Sequence, residues 1–229
     1  MEKPIKQIEY KGYKINIYPD DNGMNPIQDW DMLGSFACFH RDYDLSSREV
    51  QTDTNRKNPE YIFSEPEDLI AFINSKDCAI ALPLYLYDHS GITIHAGDRP
   101  YPYNCQWDSS HIGFVFVSRG KLLKEYDNKK ITKAILEKAK RVLSQEVKTF
   151  DQYLRGDVYG YMIEKDGEET GGCWGYYGYD FKESGLIKSA EGEIEGIRAE
   201  LLRKHTGKLK EQIKNHVPVI YREPCPLVS

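Results

Sequence analysis

The feature that most constrains this chain is the run AIALPLYLY at residues 79–87, apolar without a break. It falls far short of the roughly 20 residues that a membrane-crossing helix needs. The run reads as a strand buried on both faces. Pro83 lies inside it and removes one ladder donor, which calls for an edge position or a bulge at that point. Asp88-His89-Ser90-Gly91 supplies a turn, and residues 92–95 return as the hairpin partner. After a Pro/Tyr-rich loop at 97–111, residues 113–118 (GFVFVS) give a further strand.

The flanking segments carry both periods. Residues 13–18 (YKINIY) alternate at period two before the turn residues of 19–23, and GSFACFH at 34–40 reads as another strand. Residues 41–60 are polar and aperiodic, which predicts a long, loosely packed surface loop. Ser64 and Glu67 have capping-box spacing, with Pro66 in the first turn, so a short helix should run to about Asn74. From Asn128 the period becomes helical, through Ile131, Ile135, Ala139, Val142, Phe150 and Tyr153, and Gly156 stops it. Residues 158–164 and 173–179 form a hairpin around Lys165-Asp166-Gly167, a last helix spans 184–215, and 216–229 is an extended, proline-bearing tail. The order predicts one α+β domain over 1–229, its mostly antiparallel sheet packed by a long central helix and a C-terminal helix.

Composition narrows the functional classes. With 31 basic and 36 acidic side chains the formal charge is -5, which argues against a protein that coats duplex DNA through a basic face. Five cysteines, an odd number without a CxxC pair, fit a reducing compartment rather than a disulfide scaffold. Neither a Walker loop nor a dinucleotide fingerprint occurs, and the glycines near Gly171 precede a strand rather than a helix, so no cofactor is expected.

Three constellations remain. Cys38 and His40, two apart on a strand, could join His89 (or His95) and Cys105 around a metal, although the dense spacings of zinc modules are absent. His89 could act as base for a Cys105 nucleophile, oriented by Asp88 or Asp108. Tyrosine is unusually abundant, seventeen against eight Phe and three Trp. Its cluster Tyr159, Tyr161, Tyr177 and Tyr179, with Trp174, lies on one hairpin with an acidic rim. Such a surface suits protein binding better than base stacking, which needs a positive groove. Alternation puts Tyr159 and Tyr161 on one side. Trp174 is expected beneath the C-terminal helix, with Tyr177 and Tyr179 as the exposed pair; the same rings could instead fill a sheet surface as core.

The segments WDMLGSFACFH (30–40), YLYDHSGITI (85–94), WDSSHIGFVFVS (107–118), FDQYLRGDVYGYMIE (150–164) and CWGYYG (173–178) resemble a group of uncharacterised bacteriophage and mobile-element proteins. The resemblance covers most of residues 10–180 and implies an accessory viral protein working in a host cytoplasm. By analogy with accessory viral proteins of this size and acidity, rather than from the resemblance itself, the leading expectation is a non-enzymatic binder that inhibits a host defence protein, for example as an anti-CRISPR or anti-restriction inhibitor. Its acidic charge would favour a nucleic-acid-handling partner and speed encounter. A small cysteine/histidine- or metal-dependent hydrolase, and a single-strand nucleic-acid binder, are the alternatives.

Overall fold

The computed structural model describes residues 3–52, 55–89, 91–97 and 108–225. The fold is α+β with antiparallel sheets and a long C-terminal helix, as the periodicities predict. Where the sequence reads as one domain, the chain divides into two compact units: Asp21–Asp157, and the described residues of Met1–Asp20 with Val158–Ser229.

The Asp21–Asp157 unit contains strands β3 (Ser35–Cys38), β6 (Cys78–Asp88), β7 (Ile92–Ala96) and β8 (Ser109–Ser118) in the order β3-β8-β6-β7. The apolar run is therefore an interior strand, with β8 along one side and β7 along part of the other. Pro83 is tolerated because β7 pairs only from Leu84 onward and the β6–β8 ladder breaks register between Leu84 and Tyr85. Leu82, Leu84, Leu86, Ile94, Ile112, Val115 and Val117 line the inner face. Against them lies α4 (Lys133–Leu154), which contributes Ala139, Leu143, Val147 and Phe150 at three- and four-residue spacing. Thr132 caps it by accepting from the Ile135 N–H, and Gly156, at φ +71°, follows its C-cap. Two further helices were not foreseen: α1 (Pro26–Asp29), capped by Asn25, and α3 (Arg119–Glu125), capped by Ser118. In α2 (Pro66–Ile73) the cap falls one residue later than the Ser64/Glu67 spacing suggests, at Glu65 with Asp68. The Asp68 carboxylate accepts from the Ser64 and Glu65 N–H groups.

The 41–60 segment departs from expectation. Polarity without a period predicts a loosely packed loop, yet Leu45, Ser46, Ser47 and Val50 are buried. Its polarity serves the free edge of β3. The Phe36 N–H donates to Ser47 Oγ at 2.9 Å and the Cys38 N–H to Ser46 Oγ at 3.0 Å, while the Ser47 N–H donates to the Phe36 carbonyl at 2.9 Å. The hydroxyls and one amide thus stand in for a strand partner. Arg56 donates to both Asp44 oxygens at 2.7 Å. The short parallel pair β4 (Val50–Gln51) and β5 (Tyr61–Ile62) closes the segment.

The second unit is the antiparallel sheet β1 (Lys6–Tyr10), β2 (Tyr13–Pro19), β9 (Val158–Lys165) and β10 (Glu168–Tyr177), in the order β1-β2-β9-β10. Asp166 (φ 52°) and Gly167 (φ 87°) form the two-residue hairpin turn, both in the left-handed region that such turns require. One sheet face presents Tyr13, Ile15, Ile17, Tyr159, Tyr161 and Ile163 to α5 (Leu186–Lys214), which buries Leu186, Ala190 and Ile194.

Candidate functional site

In the Asp21–Asp157 unit, aromatic, imidazole and hydroxyl side chains gather on the outer face of β7-β6-β8. Inner and outer positions alternate, so with Leu84 and Leu86 committed to the core, Tyr85 and Tyr87 face outward. Tyr85 stands opposite His95 on β7 and His111 on β8; Tyr87 stands opposite Thr93 and Ser109. The His111 ring lies 5.3 Å from Tyr85 and 5.0 Å from Phe114, edge-on to both. Partial burial holds its imidazole below the ordinary histidine pKa. The hydroxyls of Thr93 and Ser109 are buried and have no hydrogen-bond partner among the described residues.

At the end of β6, His89 Nδ1 lies 3.4 Å from the Asp108 carboxylate, and its ring lies 6.0 Å from Tyr87. Of the two acids considered as orienters of His89, Asp108 is therefore the one in contact. Asp88 instead accepts from the Tyr43 hydroxyl at 3.0 Å, which pushes the tyrosine pKa up. Cys105, the candidate nucleophile, and Ser90 lie outside the described residues.

The metal set does not assemble from the described residues. No group of three His, Cys, Asp or Glu side chains among them could hold an ion. Cys38 is buried in the core, and desolvation pushes its thiol pKa far up, which disfavours the thiolate a metal needs. His40 lies beyond the end of β3, so strand alternation no longer fixes it beside Cys38. Its ring stacks on Tyr43 at 5.0 Å, and its Nδ1 accepts from the Asp42 N–H at 3.2 Å.

In the second unit the four tyrosines separate. Tyr159 and Tyr161 share one side as expected, but that side is the core. Tyr161 is 1% exposed, and its hydroxyl donates to Glu193 at 2.8 Å. Burial first, then that carboxylate, pushes its pKa well up. Both rings are thereby removed from the set of binding residues. Trp174 reverses the expectation of a ring under α5: it is 48% exposed. The register explains the reversal. Cys173 pairs with Tyr161 and takes the α5 face, so Trp174 turns to the other, just before a shift in the ladder. Gly160 supplies the seat, because a Cβ there would overlap the indole, and Tyr18 stands 6.4 Å away.

Tyr177, opposite Val158, lies on the Trp174 face and is half-buried. Tyr179 is 69% exposed but packs beside Tyr159 and Phe181, at 6.0 and 5.3 Å. Tyr18 was the residue that sequence reasoning missed; only the β2–β9 register, Tyr18 opposite Gly160, brings it to the site. Below the aromatic end of that face lie Glu164, 3.6 Å from Lys14, and the buried Asn16, which accepts from Gln7 at 2.6 Å and donates to Glu164 at 3.3 Å. The Asp20 carboxylate accepts from the Gly175 N–H at 3.1 Å. Comparison of the chain with protein-family models, with curated proteins and with solved structures returns no match.

Proposed function

We propose that the protein is a binding protein and that the Tyr18–Trp174–Tyr177 face of its β1-β2-β9-β10 sheet contacts a partner protein. The observation that carries this reading is Trp174: an indole half out in solvent, seated over a glycine, in a strand whose alternate positions point into the core. Exposed indoles of this kind are typical anchors of protein interfaces. Asp20 places a carboxylate at the margin of the face while Glu164 is offset by Lys14, and the formal charge of -5 of the whole chain suits a basic surface on the partner. Together with the resemblance to phage accessory proteins, the partner we propose is a host defence protein that handles nucleic acid.

The test places a photo-crosslinking amino acid at Tyr177 and expresses the protein in the infected host. Crosslinking to one protein is expected, with affinity for it weakened about 30-fold, or roughly 2 kcal/mol, by Trp174→Ala. An unchanged affinity in Trp174→Ala overturns the reading. A hydrolase is the second reading, favoured by the His89–Asp108 contact. It requires Cys105 to be alkylated fastest of the five thiols, with a rate that falls in His89→Ala.

A further inference from the structure

Helix α5 carries two apolar stripes. The inner one, Leu186, Ala190, Ile194 and Ile197, packs on the sheet. Arg198 then ties the helix to the β1–β2 turn by donating to the Lys11 carbonyl at 3.3 Å. From there the helix continues to Lys214, roughly 25 Å past the last residue packed in that core. Its second stripe follows a different period. Ala199, Leu202, Thr206, Leu209 and Ile213 alternate steps of three and four, the heptad spacing of a coiled-coil seam. At about 100° per residue they centre roughly 145° around the helix from the inner stripe. Leu202 and Ile213 are 45% and 49% exposed, Ala199 and Thr206 are exposed, and Leu209 is half-buried. Gly192 stands in the same phase one heptad before Ala199, and nothing among the described residues lies within 4 Å of where its Cβ would be. After Lys214 the chain doubles back, Glu223 pairing with Lys208 at 3.3 Å, and leaves Val219, Ile220 and Tyr221 exposed at the same end. An open seam in heptad phase, on a helix that outruns its own core, is one half of a helix–helix contact.

We propose that this seam docks an acidic amphipathic helix of a partner protein. Charge chooses the occupant. Residues 198–214 hold six basic side chains and two acidic ones, in a chain whose formal charge is -5. In a coiled coil the e and g positions flank the seam and select the partner. Here they are Arg198, Arg203, His205, Lys210 and Gln212, so the flanks hold three permanent cations and no carboxylate. The two acids, Glu200 and Glu211, fall at b and f, away from the seam, and Glu200 is paired with Lys204 at 2.7 Å. A second copy of this chain would set arginine and lysine against arginine and lysine in either helix orientation, which disfavours self-pairing. Glutamates at the partner's e and g positions would instead meet Arg203 and Lys210 beside an apolar seam. Two heptads make a short contact, below the roughly 1,200 Å² of a standard interface, so the affinity belongs in the micromolar range. Gly207 weakens this end of the helix, so docking should also slow exchange of its amides. The surface is separate from the Trp174 face, which lies on the side of the sheet away from α5.

The test titrates the full-length protein into a fluorescein-labelled three-heptad peptide with Leu at a and d, Glu at e and g, and Ala or Gln elsewhere. The same peptide with Lys at e and g is the control. Fluorescence anisotropy should show the Glu peptide binding about tenfold or more tighter than the Lys peptide, and more weakly as salt is raised. Arg203→Glu with Lys210→Glu should invert that preference. Leu202→Ala with Leu209→Ala, which keeps helix propensity, should weaken binding at least about tenfold with unchanged circular dichroism of the free protein. Equal binding of the two peptides, binding that these variants leave unaltered, or no binding at high micromolar protein overturns the proposal. So does self-association in sedimentation that the double leucine variant abolishes, which would make a second copy the occupant.

Discussion

Tyr161 and Trp174 lie near one another on the same hairpin and face opposite ways, so truncating each in turn separates core from interface. Tyr161→Ala removes a fully buried ring that packs with Tyr176 and hydrogen-bonds Glu193. By analogy with buried aromatic truncations it should cost about 3–5 kcal/mol. Tyr161→Phe keeps the volume and loses only the hydroxyl, for about 1 kcal/mol. Trp174→Ala exposes no new core, because 48% of the residue is already in solvent; about half the value of a buried side chain is at stake, roughly 1–1.5 kcal/mol. The chain has two compact units, so a single melting transition need not report on this sheet. Residue-resolved hydrogen exchange of the β9 and β10 amides, read against urea, does so directly. A cost for Trp174→Ala equal to that of Tyr161→Ala, or a loss below about 1.5 kcal/mol for Tyr161→Ala, would refute the assignment of faces and with it the proposed interface.

Gly160→Ala should push the indole off its seat, seen as a red shift of Trp emission, while the amides facing α5 keep their protection. Glu146 accepts from the Leu33 and Gly34 N–H groups at 2.7 and 2.8 Å, so Glu146→Ala should cost about 2–4 kcal/mol and expose those two amides to exchange. Burial raises the folded-state pKa of Glu146 and of Asp151 above their ordinary values of 4.5 and 3.8. The native state therefore holds these protons longer than the unfolded chain, and their contribution to stability falls as pH rises upward from those values. Comparing urea midpoints against pH for the parent and for Glu146→Gln with Asp151→Asn should show a shallower decline in the variant; an identical slope contradicts the sign. Cys173, exposed, should react with iodoacetamide in the native protein, whereas Cys38, buried with a raised pKa, should react only on unfolding.

The sequence by itself determined the elements whose period is strong. The 79–87 strand, the α4 stripe ending at Gly156 and the Asp166-Gly167 turn all follow from local pattern, because alternation, helical spacing and positive φ are properties of a few neighbouring residues. Polar segments were misjudged for the same reason. Ser46 and Ser47 look solvated until a distant strand edge, β3, arrives to use their hydroxyls. Only tertiary structure decided the candidate sites. Whether Trp174 faced α5 or solvent turned on a register against β9 and a ladder shift, and a slip of one residue exchanges the two sides of a strand. Likewise, His95 and His111 are sixteen positions apart in the chain. They become neighbours across Tyr85 because β7 and β8 both pair with β6, and pairing partners are chosen by long-range burial rather than by local sequence.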